Sequence, residues 1–358
     1  MHQQRIQRVR EQLQDRGSAA FFSFSPADNE YLTGFRGTTS AVIIAAREAL
    51  FLCDFRYIEQ AKIQVKDYEI EQITGTFETR VGERLAALGV GEAVFEPTTL
   101  TVYQLETLRK AFEGTVESDH GIVGRARERK SEEELARLRA ASHLAEQAML
   151  DLVAELKPGM HEQEFAAMLE YEFKRRGATG ASFPSIVLFG AHSSLPHGVP
   201  GTKRLEDGDI VLLDLGCVHQ SYCSDLTRTF VFGTIPPAWF EEIYNVTLSA
   251  QQAALRAVRP GASCKDVDNV AREMIREAGF GDYFGHGLGH GVGLEIHESP
   301  RLNMQSEAVL EAGMVVTVEP GIYLPGRGGV RIEDLVFVTP SGCEVVTQSS
   351  KELKVLSA

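Results

Sequence analysis

The sequence predicts an α+β protein of two domains: a small α/β domain over residues 1–124, then a larger domain over residues 125–358 built from a duplicated helix-helix-hairpin unit. Three observations predict it. Short apolar runs alternate with helical stretches in the first third of the chain. Farther on, a helix-helix pattern recurs at a constant offset. Each recurrence leads into β-branched segments of strand length.

The first domain opens on a charged amphipathic stretch that reads as a helix to Arg16, stopped by Gly17. The apolar runs Ala19 to Phe24, Ala41 to Ile44 and Ala49 to Cys53 read as strands between helices. After Gly121 the charged stretch GRARERKSEEEL ends in a capping box, Ser131 with Glu134. The domain junction is therefore expected near residue 124.

A helix over 131–156 is followed by KPGM and a second helix to Arg176, with Gly177 as the residue just past its end. The plan then repeats: a helix over 237–258 runs into RPGA and another helix ending at Gly279. Pro158 and Pro260, Gly159 and Gly261, and Gly177 and Gly279 are each separated by 102 positions, which marks an internal duplication. The first half continues into DIVLLDLGCV and DLTRTFVF, the second into MVVTVEP and GVRIEDLVFVT. Two such halves facing each other predict a central antiparallel sheet backed by helices. The cleft at their pseudo-twofold junction is a natural place for a site.

The chain has 358 residues, 43% hydrophobic and 24% charged, enough to fill two globular cores. Its formal charge of −14 speaks against nucleic acid or an anionic membrane as partner, because both require a lysine and arginine surplus. Five cysteines, Cys53, Cys217, Cys223, Cys264 and Cys343, form neither a dense disulfide pattern nor a CxxC pair. Without an apolar leader or a long apolar run, a reducing cytoplasm is the expected compartment.

Acids stand where strands are otherwise apolar. Asp214 lies in the run Ile210 to Leu215, and Asp225 opens the next strand before Leu226. With the turn centred on His219 and Gln220 the two carboxylates face each other directly, with β-carbons about 4.5–5.5 Å apart, a repulsive arrangement unless a cation lies between. Either aspartate alone also reads as an ordinary strand-end or turn residue. The second half repeats the oddity: Glu319 ends MVVTV and Glu333 sits in VRIEDLVFV, with a turn centred near Gly326. Two acid pairs from duplicated hairpins meeting in one cleft need counter-charge.

His286, His290 and His297 fall within GHGLGHGVGLEIHESPR. Glycine at every second position lets backbone or substrate come close and sets His286 and His290 on one side of an extended segment. The stretch does not satisfy GxGxxG, so a dinucleotide site is rejected. One imidazole with four carboxylates suits manganese, cobalt or another borderline divalent ion, with zinc also compatible. Cys217 and Cys223 flank the acids and read as strand packing. Five ligands are too many for one small ion and suit two, about 3.5–4 Å apart, a pair that generates hydroxide at neutral pH. No GxSxG, HExxH or Walker A motif competes. The chemistry indicated is metal-assisted hydrolysis of an acyl bond.

These residues resemble the pita-bread metallopeptidases, the family that includes prolidase, aminopeptidase P, methionine aminopeptidase and the metal-free creatinase. The resemblance runs over essentially the whole chain and implies a creatinase-like N-terminal domain followed by a pita-bread catalytic domain. It is carried by LLDLGCVHQSYCSDLTRT, HGLGHG, TVEPG and VRIED. It implies that Asp214, Asp225, His290, Glu319 and Glu333 hold two metal ions. Asp225 and Glu333 would bridge them, Asp214 would serve one ion, and His290 with Glu319 the other. Glu319 is then also the general base. His197 in LPHGV, His286 and His297 match accessory histidines that position the scissile carbonyl and the proline nitrogen.

The resemblance further implies a peptidase that cuts the bond before proline in dipeptides or short peptides, and a homodimer. A complete ligand set disfavours creatinase and a catalytically silent peptide-binding module. The N-terminal domain disfavours methionine aminopeptidase. Between prolidase and aminopeptidase P, the short Glu319–Glu333 loop and Arg301 in HESPR favour prolidase, because a guanidinium clamps the free carboxylate of a terminal proline. Arg331, two residues before Glu333, is expected to support the acids.

Overall fold

Caps and glycines set the helix boundaries in the computed structural model, which describes residues 2–119 and 121–357. The chain forms two compact units, Met1–Arg127 and Glu128–Ala358. In the first unit the elements run α1 (His2–Arg16), β1 (Ala20–Ser23), α2 (Pro26–Thr33), β2 (Ala41–Ala45), β3 (Ala49–Cys53), α3 (Ile58–Gln64), β4 (Glu69–Gln72), α4 (Phe77–Ala87), β5 (Glu92–Phe95), α5 (Val102–Ala111), β6 (Thr115–Ser118) and α6 (Gly124–Glu128). Gly17 ends α1 at φ 74°, left-handed geometry that glycine adopts without a Cβ penalty. The strands form one sheet in the order β4-β3-β2-β1-β5-β6. Phe22, Ile43, Leu50, Leu52, Val81, Leu85 and Leu108 fill the core of this unit.

The second unit begins with α7 (Glu132–Val153), α8 (Glu162–Arg175), β7 (Gly180–Ala181), β8 (Ile186–Phe189), β9 (Ile210–Leu215), β10 (Cys217–His219), β11 (Tyr222–Cys223) and β12 (Leu226–Phe232). It continues with α9 (Ala238–Ala257), α10 (Cys264–Glu277), β13 (Gly289–Gly291), β14 (Glu298–Leu302), β15 (Val315–Val318), β16 (Gly321–Leu324), β17 (Gly328–Arg331), β18 (Asp334–Thr339), β19 (Gly342–Val345) and β20 (Val355–Leu356). The Ser131–Glu134 capping box starts α7 as the sequence predicts.

The duplication is visible in backbone detail. Gly159 and Gly261 turn at φ 84° and 81°, and their N–H groups donate to the Leu205 and Leu310 carbonyls, both at 2.8 Å. Helices α8 and α10 have 14 residues each. One apolar core packs α7 and α8 against β8, β9 and β12, and a second packs α9 and α10 against β15 and β18.

One expectation changes here. The strands do not form a single central sheet: β20-β12-β9-β8 and β14-β13-β15-β18-β19 are separate sheets, with smaller β11-β10-β7 and β16-β17 sheets beside them. Buried cross-links join the two hairpin systems instead. Glu333 N–H donates to the Thr227 carbonyl (3.2 Å), Thr229 Oγ1 donates to the Arg331 carbonyl (2.9 Å), and Arg228 Nη2 donates to Asp334 (2.9 Å).

Candidate metal centre

The first hairpin turns at Gln220 and Ser221, with φ 48° and 73°, and not at His219 and Gln220. Both residues take the left-handed conformation that a tight hairpin turn requires. The register follows the turn: Asp214 stands opposite Thr227, and Leu215 opposite Leu226. The expected direct Asp214–Asp225 pairing is therefore off by two positions. A two-residue slip preserves the side-chain face, so the acids remain on one side as diagonal neighbours. Gly216 lets the chain leave the ladder there, since a Cβ on it would lie 1.9 Å from the Ser224 carbonyl oxygen. In the second hairpin Val318 pairs with Asp334 and Gly321 with Arg331, and the loop turns at Gly326 (φ 72°). That register sets Glu319 opposite Glu333, as the sequence predicts.

Ligand atoms of Asp214, Asp225 and Glu333 all lie within 4.8 Å of one another. His290 Nε2 lies 3.6 Å from Asp225 Oδ2 and 3.3 Å from Glu319 Oε1. A cavity of about 490 Å³ is lined by these five residues together with His197, His286, His297, Arg301 and Arg331. All ten residues singled out in the sequence thus border one space. Gly289 and Gly291 bracket His290 because backbone crowds them: a Cβ would lie 2.0 Å from the Thr317 oxygen at the first and 2.2 Å from the Ser299 oxygen at the second. It is neighbouring strands that demand the alternating glycines.

The electrostatics of the cluster call for cations. Burial, then repulsion from Glu333, Asp214 and Glu319, holds the Asp225 carboxyl well above the usual carboxylate range. Burial, then Glu319 and Asp214, does the same to Glu333. Burial pushes Glu319 up to about 7 and pulls His290 down to about 3, toward the neutral imidazole that binds metal. Asp214 Oδ1 and Glu333 Oε1 are buried with no hydrogen-bond partner among the described residues. Orphaned carboxylate oxygens beside a neutral imidazole fit divalent ions, and hard oxygen donors with one nitrogen match the expected class.

Three neighbours of the acids went unread in the sequence. Thr227 Oγ1 donates to Glu333 Oε2 (2.8 Å), and Thr317 Oγ1 donates to Glu319 Oε1 (3.1 Å). Each threonine sits two positions from an acid along the chain, Thr227 from Asp225 and Thr317 from Glu319, which is the spacing that would have found them. Arg331 contacts Asp214 Oδ2, donates through Nε to Thr227 Oγ1 (3.2 Å) and through Nη1 to Tyr323 Oη (2.7 Å). Tyr323 gave no local signal, because only the β16–β17 pairing brings it beside Arg331.

The histidines differ in kind. Tyr323 Oη accepts from Arg331 and so directs its own hydrogen to His286 Nε2 (3.0 Å), leaving Nδ1–H to donate to the Gly287 carbonyl (2.8 Å). Both nitrogens of His286 are thus committed to the protein, and burial followed by Arg331 pulls its pKa down to about 4. His286, expected to help position the scissile carbonyl and the proline nitrogen, holds Tyr323 in this arrangement. His197 and His297 are exposed at the cavity, and the His297 ring stands 4.4 Å from that of His290. Cys217 and Cys223 are buried free thiols.

With this geometry in hand, residues 136–340 match metallopeptidase family M24 and residues 5–128 match the creatinase/prolidase N-terminal domain. The chain belongs to family M24. An uncharacterized peptidase of Bacillus subtilis is 40% identical over 98% of this chain and 100% of its own length. Among solved structures, the chain is similar to an Xaa-Pro dipeptidase from Bacillus anthracis (40% identity, 99% of this chain and 100% of that one, TM-score 0.96). It is also similar to the prolidase from Pyrococcus horikoshii (35%, 98% and 99%, TM-score 0.92) and to an X-Pro aminopeptidase from Thermotoga maritima (35%, 95% and 98%, TM-score 0.88). Membership in M24 makes this a peptidase of a family that uses divalent metal ions. No helix among the described residues is long and apolar enough to cross a membrane.

Proposed function

We propose that this M24 peptidase hydrolyses the peptide bond before proline with two divalent metal ions, and that Xaa-Pro dipeptides are its main substrates. The observation that carries the reading is the convergence of Asp214, Asp225, His290, Glu319 and Glu333 on one cavity, with buried carboxylate oxygens lacking hydrogen-bond partners. Manganese or cobalt suits this donor set best, with zinc as a third candidate. Asp214, Asp225, His290, Glu319 and Glu333 would together hold the ions.

Bound there, divalent ions supply Lewis acidity for a peptide carbonyl and make water a competent nucleophile at neutral pH. The remaining work falls to the chain. Glu319, held by Thr317, takes the proton from the attacking water. Exposed His197 and His297 donate to the developing oxyanion and to the proline nitrogen. Arg331 fixes Asp214 while His286 fixes Tyr323, keeping both anchors rigid.

Dipeptide preference is inferred from Arg301, an exposed guanidinium on the cavity wall suited to a free proline carboxylate. The similarity to the Thermotoga X-Pro aminopeptidase supports a second reading, removal of the first residue from longer Xaa-Pro peptides. A homodimer is proposed from the resemblance to the pita-bread metallopeptidases. The test is direct: strip metal, restore Mn²⁺ or Co²⁺ separately, and compare Xaa-Pro with Xaa-Pro-Yaa. Cleavage of the tripeptide alone sinks the dipeptidase assignment, and cleavage without metal sinks the mechanism.

A further inference from the structure

Position 162 breaks the internal repeat. Helices α8 and α10 are counterparts of equal length, and their first residues, Glu162 and Cys264, are both fully buried. In each half the N–H of that residue is taken by the returning chain, Glu162 by the Lys203 carbonyl (3.2 Å) and Cys264 by the Ala308 carbonyl (2.9 Å). The second half builds the same junction with a thiol, so the fold itself does not require a carboxylate there. A carboxylate taken out of water is costly unless donors surround it, and its donors indicate what it is for.

The side-chain partners of Glu162 come from the end of β8 and the loop that follows it. Oε1 accepts from the Phe189 N–H (2.8 Å) and faces His192 Nδ1 (3.1 Å), while Oε2 accepts from the Gly201 N–H (2.8 Å). Residues 189 and 201 bracket the segment that brings Pro196, His197, Gly198, Val199 and Pro200 to the cavity wall. Apolar burial does not hold that segment, since Leu195 is 52% and Val199 83% exposed. Polar ties do: besides Glu162, the Pro196 carbonyl accepts from Arg331 Nη1 (3.2 Å), and Ser193 Oγ accepts from the Gly329 N–H (2.9 Å).

We propose that Glu162 is a positioning residue: by clasping both ends of the 190–200 loop it presents His197 to the peptide in the cavity. The proposal rests on the reading that this cavity binds peptide substrate. The polar partners of Glu162, Phe189, His192 and Gly201, include no metal-ligand candidate, so its loss acts through the loop.

Two variants test it. Glu162→Gln keeps the size but offers one acceptor and one donor, so one of the two backbone N–H groups must meet another N–H. Glu162→Cys reproduces the residue that the second half already folds with. In both, amide hydrogen exchange across 190–200 is expected to speed at least tenfold while β9 and β12 stay protected. Mn²⁺ affinity measured by calorimetry should stay within twofold. KM for an Xaa-Pro dipeptide should rise tenfold or more with a smaller change in kcat, and His197→Ala should cost much less in the Glu162→Gln background than alone. Unchanged loop exchange overturns the proposal, as does full additivity of the Glu162 and His197 variants, or a rise in KM that tracks lost metal. If the unaltered protein cleaves no proline peptide, the functional reading fails separately, and the exchange measurement alone then decides whether Glu162 holds the loop.

Discussion

Stripping the divalent ions should make the protein lose stability as pH rises through neutrality, a direction set by the acid cluster. In the folded, metal-free state burial raises the Glu319 carboxyl to about 7 and holds Asp225 and Glu333 above the ordinary range. These groups keep protons that the unfolded chain has released by about pH 5. Their contribution to stability is full below the unfolded value, near pH 4, and drains as pH climbs through the folded one. His286 and His290, drawn down to about 4 and 3, act in the opposite sense until the unfolded imidazole, with its midpoint near pH 6.5, has given up its proton. Between pH 6.5 and 8 the unfolded imidazoles, half protonated at the start, discharge and give back roughly 0.8 kcal/mol, about what Glu319 loses, so the net fall rests on Asp225 and Glu333. For a unit the size of Glu128–Ala358 each kcal/mol is worth about 2–4 °C in Tm. The assay is thermal unfolding of chelator-treated and Mn²⁺-reloaded protein at several pH values in this window. The metal-free Tm should fall across this window and the reloaded Tm should not. A metal-free Tm that is flat or rising refutes the acid-cluster account, as does an equal fall in the reloaded protein.

Other perturbations follow from the same contacts. Thr227→Val removes the hydroxyl that donates to Glu333 at nearly constant volume; metal affinity, read by titration of the stripped protein, should drop about 10–100-fold. Gly291→Ala brings a methyl group to 2.2 Å from the Ser299 oxygen, so the strand carrying His290 must move. That should cost about 1–3 kcal/mol in denaturant unfolding and weaken metal binding together with activity. Arg301→Ala should raise KM for Xaa-Pro about tenfold or more, by the worth of a charge-assisted hydrogen bond, and leave the Xaa-Pro amide nearly unaffected. Equal effects on both substrates would remove Arg301 from carboxylate binding.

Much of this molecule is local in origin and therefore readable in the chain. Helix ends follow from Gly17, Gly177, Gly279 and the Ser131–Glu134 box, because caps are settled within a few residues. The constant spacing of Gly159 and Gly261 exposes the duplication for the same reason. Acids in apolar strands announce a cation site, since burial without counter-charge is too costly to persist. The register of the first hairpin was not legible, because His219, Gln220 and Ser221 carry no glycine or asparagine to mark the turn, and only pairing with the flanking strands selects Gln220 and Ser221. The error left the site intact, because a slip of two keeps every side chain on its face. The separation into several sheets, the Arg331–Tyr323–His286 chain and the Glu162 clasp on Phe189 and Gly201 belong to tertiary structure alone. Each joins residues whose hydrogen-bonding needs are local but whose partners arrive from elsewhere in the chain, and no spacing rule connects them before the backbone has folded.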